Sequence, residues 1–126
     1  MTKKPSKDLI LPFKSEIKPI FSFAEFEDYT KSLTASFQVE EENKMPLYAF
    51  GVLEEAGEVA GKFKRSLRGE AVNANDILLE MGDLLAYLSL LAGELGSDLG
   101  QVAALNREKM EKRKAEKTLF GAGDNR

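Results

Sequence analysis

Acidic side chains recur at helical spacing in two segments of the 126-residue chain. Glu55 and Glu58 are three residues apart, with Glu54 beside them, and Glu80 and Asp83 repeat this spacing after 21 intervening residues. Residues three or four positions apart lie on the same side of an α-helix. Each pair therefore projects from one side of its helix. Carboxylate oxygens are the ligands that Mg²⁺ and other hard cations prefer.

The second acidic pair lies in the most apolar part of the chain. Leucine, isoleucine and methionine surround Glu80 and Asp83 within residues 77–95, and we expect such a helix to be buried on several sides. Asp76 and Tyr87 extend the same polar stripe. Ionised carboxylates are rarely buried without a partner, because desolvation is costly. Two interpretations are open here: a solvated helix face or, if the two acidic segments meet, a cage for a divalent cation.

Cations lie on one side of the last predicted helix. Asn106, Lys109 and Arg113 are three and four residues apart, and Lys64 and Arg65 follow the first acidic pair. Such runs form either a solvated surface or a site for polyphosphate, to which arginine offers bidentate contacts and lysine a point charge. We expect Asn106 to continue an inward-facing seam. The earlier members of that seam are Leu99, Val102 and Ala103.

The composition excludes several classes of site. The chain has no histidine and no cysteine, which rules out Ser-His-Asp and Cys-His catalysis, disulfides, and zinc sites built on those ligands. A metal ion must then be held by oxygen, which indicates Mg²⁺, Mn²⁺ or Ca²⁺. The net charge of −3 argues against a nucleic-acid partner. The longest apolar stretch, residues 84–93, is too short to span a membrane, and no signal peptide is evident, so we expect a cytoplasmic location.

The chain length and the hydrophobic spacing predict a single all-α domain over residues 1–126. It consists of an N-terminal arm (1–20), a helical core (21–117) and a turn-like tail (118–126). No stretch shows the alternation typical of a strand. Four helices are predicted: 22–39 after a cap at Ser22, 46–67 with Pro46 in its first turn, 74–95 after Asn73 or Asn75, and 98–117 after Ser97 or Asp98.

The second predicted helix carries an apolar stripe beside its acidic edge. We expect this stripe to face the core. It consists of Ala49, Val52, Leu53, Ala56, Val59, Ala60 and Phe63.

Taken together, these segments resemble the MazG-like all-α nucleoside triphosphate pyrophosphohydrolases. The similarity is carried by Pro46 to Ala60, Lys64, residues 79–85 and residues 106–113, and it extends over residues 22–126. The resemblance implies a four-helix-bundle-type fold that assembles as a homodimer or a dimer of dimers. It also implies hydrolysis of a ribo- or deoxyribonucleoside triphosphate to the monophosphate and pyrophosphate, a reaction that cleans the nucleotide pool.

The resemblance also implies roles for individual residues. Mg²⁺, with Mn²⁺ as an alternative, would be held by four carboxylates. Glu54 would position or deprotonate the attacking water, a task for a carboxylate in a chain without histidine. The implied metal ligands are Glu55, Glu58, Glu80 and Asp83, and the implied phosphate contacts are Lys64, Asn106, Lys109 and Arg113.

Two other functions compete with this interpretation. The chain would be a non-enzymatic helical adaptor if its acidic stripe paired with a basic partner, and indifference to Mg²⁺ would indicate that. A phosphoribosyl-ATP pyrophosphohydrolase is the second alternative, because that enzyme shares the helical carboxylate design.

Overall fold

A computed structural model describes residues 10–118, and four helices dominate it. The all-α prediction is confirmed. The predicted tail falls almost entirely outside the described residues. The helices are α1 (Phe23–Thr34), α2 (Glu41–Leu67), α3 (Ala74–Glu94) and α4 (Leu99–Ala115), and two short strands are β1 (Ile10–Leu11) and β2 (Val72–Asn73).

The first helix begins as predicted and ends early. The Ser22 hydroxyl accepts a hydrogen bond from the Glu25 backbone N–H at 3.1 Å, which caps α1. The helix stops at Thr34 and does not reach Val39. The hydroxyls of Thr34 and Ser36 donate to backbone carbonyls three residues earlier, at 2.7 and 2.6 Å. Such local hydrogen bonds compete with continuation of the helix.

The second helix begins five residues before the predicted start. The placement of Pro46 in the first turn is wrong, because α2 begins at Glu41 and contains the proline. Glu41 and Glu42 favour the earlier start, since acidic side chains stabilise the positive end of the helix dipole. Lys44 adds an ion pair with Glu41. The C-terminal end agrees with the prediction, and Gly69 takes the left-handed conformation there, with φ of +91°.

The other helix ends differ from the predictions by no more than two residues. Asn73 caps α3 by accepting a hydrogen bond from the Asn75 backbone N–H, and Gly96 follows its end with φ of +74°. Asp98 caps α4 by accepting from the Gln101 backbone N–H at 2.7 Å. None of the helices within residues 10–118 is long and apolar enough to cross a membrane.

Helices α2 and α3 form the main contact of the fold and run antiparallel. Gly51 lies against the ring of Tyr87, whereas Lys62 further along α2 pairs with Glu80 further back on α3. A Cβ at Gly51 would lie only 2.4 Å from the Tyr87 ring. The absence of a side chain at this position is therefore what allows the two helices to approach so closely.

Helix α2 turns its polar side toward α3. Its buried residues are Tyr48, Gly51 and Ser66, whereas the largest residues of the predicted apolar face are exposed: Leu53 is 72% exposed and Phe63 46% exposed. Val52 and Val59 of that face are half-buried. The prediction of an inward apolar stripe is therefore wrong for Leu53 and Phe63, because small and polar residues supply much of the surface that fits against α3. These two large apolar residues lie on the outer side of α2.

Helix α3 is also less enclosed than its sequence predicts. Ile77 and Leu90 are buried, but Leu79 is 68% exposed and Met81 47% exposed. A single chain offers helices for only part of the α3 surface, so one apolar side lacks a partner element. Among residues 10–118, the buried hydrophobic core is small, and consists of Tyr48, Val72, Ile77, Leu90, Ala92 and Leu99.

Helices α1 and α4 close one end of the α2–α3 pair. The hydroxyls of Thr30 and Ser89 share a buried hydrogen bond of 3.0 Å, which links α1 to α3. The Glu27 carboxylate accepts a hydrogen bond from the Leu99 backbone N–H at the start of α4. The predicted seam of α4 is wrong beyond its first turn, because Val102 and Ala103 are exposed. Helix α4 packs on α1 and α3, which leaves the rest of that seam without a helix opposite it.

Residues 10–14 of the predicted N-terminal arm are docked on the rest of the chain. Ile10 and Leu11 pair in parallel with Val72 and Asn73. The Asn75 side chain then accepts from the Lys14 backbone N–H at 3.0 Å and donates to the Lys14 carbonyl at 2.6 Å. The prediction that the chain contains no strand is therefore wrong, since two-residue strands are too short to show sequence alternation.

The contact between Gly51 and Tyr87 predicts the result of a simple substitution. Gly51→Ala should lower the free energy of unfolding by about 1–3 kcal/mol, because the added methyl group overpacks the interface between α2 and α3. Urea denaturation measures the change. Gly57→Ala is the control, since a Cβ at Gly57 meets nothing within 4 Å and should stabilise the helix. Equal stability of the two variants would contradict this description of the interface.

Candidate metal and phosphate site

The antiparallel pairing of α2 and α3 brings three acidic side chains together. Glu55 projects from α2, and Glu80 and Asp83 project from α3. One carboxylate oxygen of each residue lies within 4.8 Å of the others. Glu55 and Glu80 are half-buried and Asp83 is exposed. Glu58, the fourth predicted ligand, is exposed and lies outside this group of three.

The electrostatics of Glu55 show how strongly negative charge is concentrated here. Burial raises the pKa of the Glu55 carboxyl above its ordinary value, and the negative charge of Asp83 adds most to that effect. Glu54, Glu80 and Glu58 raise the pKa of Glu55 further. The four acidic residues predicted to lie around Glu55 therefore all act on its carboxyl group, whereas Asp76 does not.

One cation is built into the cluster, and the sequence analysis did not identify it. The Lys62 ammonium lies 3.2 Å from a carboxylate oxygen of Glu80, and both side chains are about one-fifth exposed. Lys62 follows Glu55 by seven residues, or two helical turns, and this spacing is the signal that places it on the same side of α2. The pairing leaves two of the three clustered negative charges to be balanced by something else.

The donor set fits a hard divalent cation. Three carboxylates from two rigid helices offer oxygen ligands only, which suits Mg²⁺, Mn²⁺ or Ca²⁺ and disfavours the softer metals. A divalent ion would also balance the two negative charges that Lys62 leaves. Because the side chains stand on helices and not on loops, their spacing is fixed before an ion arrives.

The remaining predicted site residues lie around this cluster or on α4. Glu54 is exposed beside Glu55. Lys64 is exposed, and its nine-residue separation from Glu55 places it on the opposite side of α2. On α4, Asn106 and Lys109 are exposed and Arg113 is buried, 8% exposed. Helix α4 packs against α3, the helix that carries two of the clustered carboxylates. Contact of these residues with phosphate stays a prediction.

The raised pKa of Glu55 predicts a pH-dependent stability in the metal-free protein. The stability associated with protonated Glu55 is present below the ordinary value of 4.5 and is lost as the pH rises through the raised folded-state pKa. Glu55→Gln cannot ionise and therefore does not lose this stability. With EDTA present to keep the protein metal-free, the free energy of unfolding of the variant should increase relative to that of the wild type as the pH rises toward neutrality.

Chemical denaturation over this pH range measures the difference. Glu111→Gln, an exposed substitution on α4, is the control and should show a constant offset from the wild type. A Glu55→Gln variant whose offset also stays constant would show that Glu55 has an ordinary carboxyl group.

Comparisons with known proteins agree with this geometry. The family model described as MazG nucleotide pyrophosphohydrolase domain matches residues 46–118, which include α3, α4 and most of α2. The chain is also 37% identical over 81 residues to the Gene 37 protein of Mycobacterium phage L5, an alignment that covers 60% of this chain and 71% of that protein. No solved structure matches the chain. Since the family model covers more than half of the sequence, the chain belongs to the MazG nucleotide pyrophosphohydrolase domain family.

Proposed function

We propose that this protein is a Mg²⁺-dependent nucleoside triphosphate pyrophosphohydrolase, which converts a ribo- or deoxyribonucleoside triphosphate and water to the monophosphate and pyrophosphate. The observation that carries the proposal is the convergence of Glu55, Glu80 and Asp83 within a domain of the MazG family. We assign Mg²⁺, or Mn²⁺ in its place, to this cluster, with Glu58 as a further ligand. The physiological role we propose is removal of unwanted nucleotides from the cytoplasmic pool.

The chemistry requires charge neutralisation and an activated water. A bound divalent cation supplies Lewis acidity and lowers the pKa of a coordinated water. Glu54 is adjacent to Glu55 and exposed, so its carboxylate is available to accept a proton from the attacking water. Lys62 holds Glu80 in place and offsets part of the repulsion within the cluster. The helices of the chain thus position the reacting groups before substrate binds.

The triphosphate needs cations beyond the metal. We assign this role to Lys109 and Arg113 on α4, with Asn106 as a hydrogen-bond donor. Lys64 faces away from the cluster on α2, so we assign it no phosphate contact within the same chain. A cation near the departing pyrophosphate stabilises the charge that develops in the transition state.

We further propose that the active form is a homodimer or a dimer of dimers. The support is the apolar surface that a single chain leaves open on α2, α3 and α4. Such a concentration of exposed apolar side chains is unusual for a monomer of this size and is typical of an interface. The most exposed examples are Phe50 (70%), Leu53 (72%), Leu67 (68%), Leu79 (68%) and Leu105 (63%).

Removal of one clustered carboxylate tests the proposed function. Asp83→Asn and Glu80→Gln should lower the rate of pyrophosphate release by more than about 100-fold, since even residues that only orient metal ligands commonly contribute 10- to 100-fold. Asp83→Asn removes a repelling charge at nearly constant shape, so its metal-free thermal stability should be maintained or increased. A panel of nucleoside triphosphates with Mg²⁺, assayed for pyrophosphate, provides the measurement.

Asp76→Asn is the matched control, because Asp76 is an exposed carboxylate on the same helix outside the cluster. Mg²⁺ should raise the melting temperature of the wild type and the control but not of Asp83→Asn. If Asp83→Asn retained near wild-type turnover at saturating Mg²⁺, the assignment of the metal site would fail. If no triphosphate released pyrophosphate and Mg²⁺ had no effect, the adaptor interpretation would be favoured.

The proposed assembly makes a separate prediction. Light scattering at tens of micromolar protein should give at least the mass of a dimer. Leu53→Lys should shift the protein toward the monomer, because a charge at this outward position cannot be desolvated in an interface without a partner. Lys114→Ala, an exposed change on α4, should leave the mass unchanged. A monomeric wild-type protein would overturn the proposal.

A further inference from the structure

Lys62 is a basic side chain that the structure places in direct contact with the acidic cluster. Its ammonium lies 3.2 Å from a carboxylate oxygen of Glu80, and both side chains are about one-fifth exposed. In the ion pair of Arg65 with Glu70, by comparison, both side chains are about half exposed. Ion pairs at the surface contribute little to stability, whereas a half-buried charge that loses its partner is costly. Lys62 is therefore held at the cluster more firmly than a surface lysine.

The position of Lys62 on α2 differs from that of Lys64, the lysine that the sequence singles out. Lys62 follows Glu55 by seven residues and stands on the same side of the helix, whereas Lys64 follows it by nine residues and stands on the opposite side. Lys64 is also exposed. A lysine of this helix that contacts a phosphate at the cluster of the same chain must stand on the side of Glu55. Lys62 meets this requirement.

Lys62 and a divalent cation would compete for the carboxylate of Glu80. One oxygen of that carboxylate accepts a hydrogen bond from the ammonium. A cation bound to either oxygen would lie within about 8 Å of the ammonium, given metal–oxygen distances of about 2.0–2.6 Å. Two positive charges at this separation repel each other, and a partly buried site screens them less than bulk water does. The ammonium would then be better placed beside another anion.

We propose that Lys62 is a phosphate contact that exchanges partners. It pairs with Glu80 in the metal-free protein and turns to the triphosphate when a divalent cation takes that carboxylate. This inference deepens the proposed function and rests on it. The phosphate oxygens of a metal–triphosphate complex keep negative charge and accept charge-assisted hydrogen bonds. Lysine is a compact charge on a flexible four-carbon stem, so its ammonium can change partners without movement of α2.

Lys62→Met tests the exchange through two binding measurements that should change in opposite directions. Mn²⁺ alone, followed by EPR spectroscopy, should bind about 3- to 30-fold more tightly, because the competing ammonium is gone. Inorganic tripolyphosphate, titrated by calorimetry at saturating Mn²⁺, should bind about 10- to 100-fold more weakly, because a charged hydrogen-bond donor is lost. A lysine that only supports the fold would weaken both. Neither measurement requires turnover.

Matched variants control for charge and for folding. Lys62→Arg retains the charge and should shift both affinities less than Lys62→Met does. Lys112→Met makes the same change at an exposed position on α4 and should shift neither affinity. Lys62→Gln removes the charge but can still donate a hydrogen bond to Glu80, so it tests the same claim if Lys62→Met does not fold. Two affinities that fall together, or that both stay at the wild-type level, would overturn the exchange.

The hydrolysis assay separates this inference from the proposed function. If nucleoside triphosphates are hydrolysed and Lys62→Met leaves both affinities unchanged, the exchange is wrong and the function stands. If no triphosphate is hydrolysed but the two affinities change in opposite directions, the hydrolytic function is wrong and the exchange stands. If neither Mn²⁺ nor tripolyphosphate binds the wild-type protein, both are overturned.

Discussion

The contact between α2 and α3 holds three carboxylates close together despite their mutual repulsion. The rest of the structure depends on this constraint. Gly51 lets the helices approach, and the same antiparallel register places Glu55 opposite Asp83 and Glu80. Burial and the negative charges of these neighbours together raise the pKa of Glu55. Like charges gathered on rigid helices lower the stability of the protein alone, and a divalent cation would relieve that cost. Proteins commonly accept such strain where a functional site is built.

This constraint also explains why α2 has an unusual orientation. A helix whose inward side carries Tyr48, Gly51, Glu55 and Lys62 cannot also bury an apolar stripe against the same neighbour. Its large apolar residues therefore lie on the outer side. One chain of this length buries only a small core, and the outward stripe on α2 has its counterpart in the exposed leucines of α3. Under the proposed function, the metal site and the assembly surface therefore lie on opposite sides of α2.

Local sequence signals predicted most of the helices. The features that these signals missed depend on contacts between segments that are distant in sequence. Ser22, Asp98 and Gly69 mark helix ends through hydrogen bonds and backbone conformations that depend only on near neighbours. The spacing of Glu80 and Asp83 likewise predicted that they share a side of α3, whereas Glu58 lies outside the cluster that contains Glu55. The orientation of α2 could not be predicted in this way. Hydrophobic periodicity shows that a helix has an apolar side, but it does not show whether that side packs on the core of the same chain or on another molecule.

The pairing of Lys62 with Glu80 and the docking of the arm on Asn75 arise between segments distant in sequence. Only the assembled fold shows such contacts.

The most direct test of the central claim is anomalous diffraction from crystals grown with Mn²⁺. An anomalous peak is expected between α2 and α3, bonded to carboxylate oxygens of Glu55, Glu80 and Asp83. Absence of a peak at this position, with the Lys62–Glu80 pair and the three carboxylates unchanged, would contradict it.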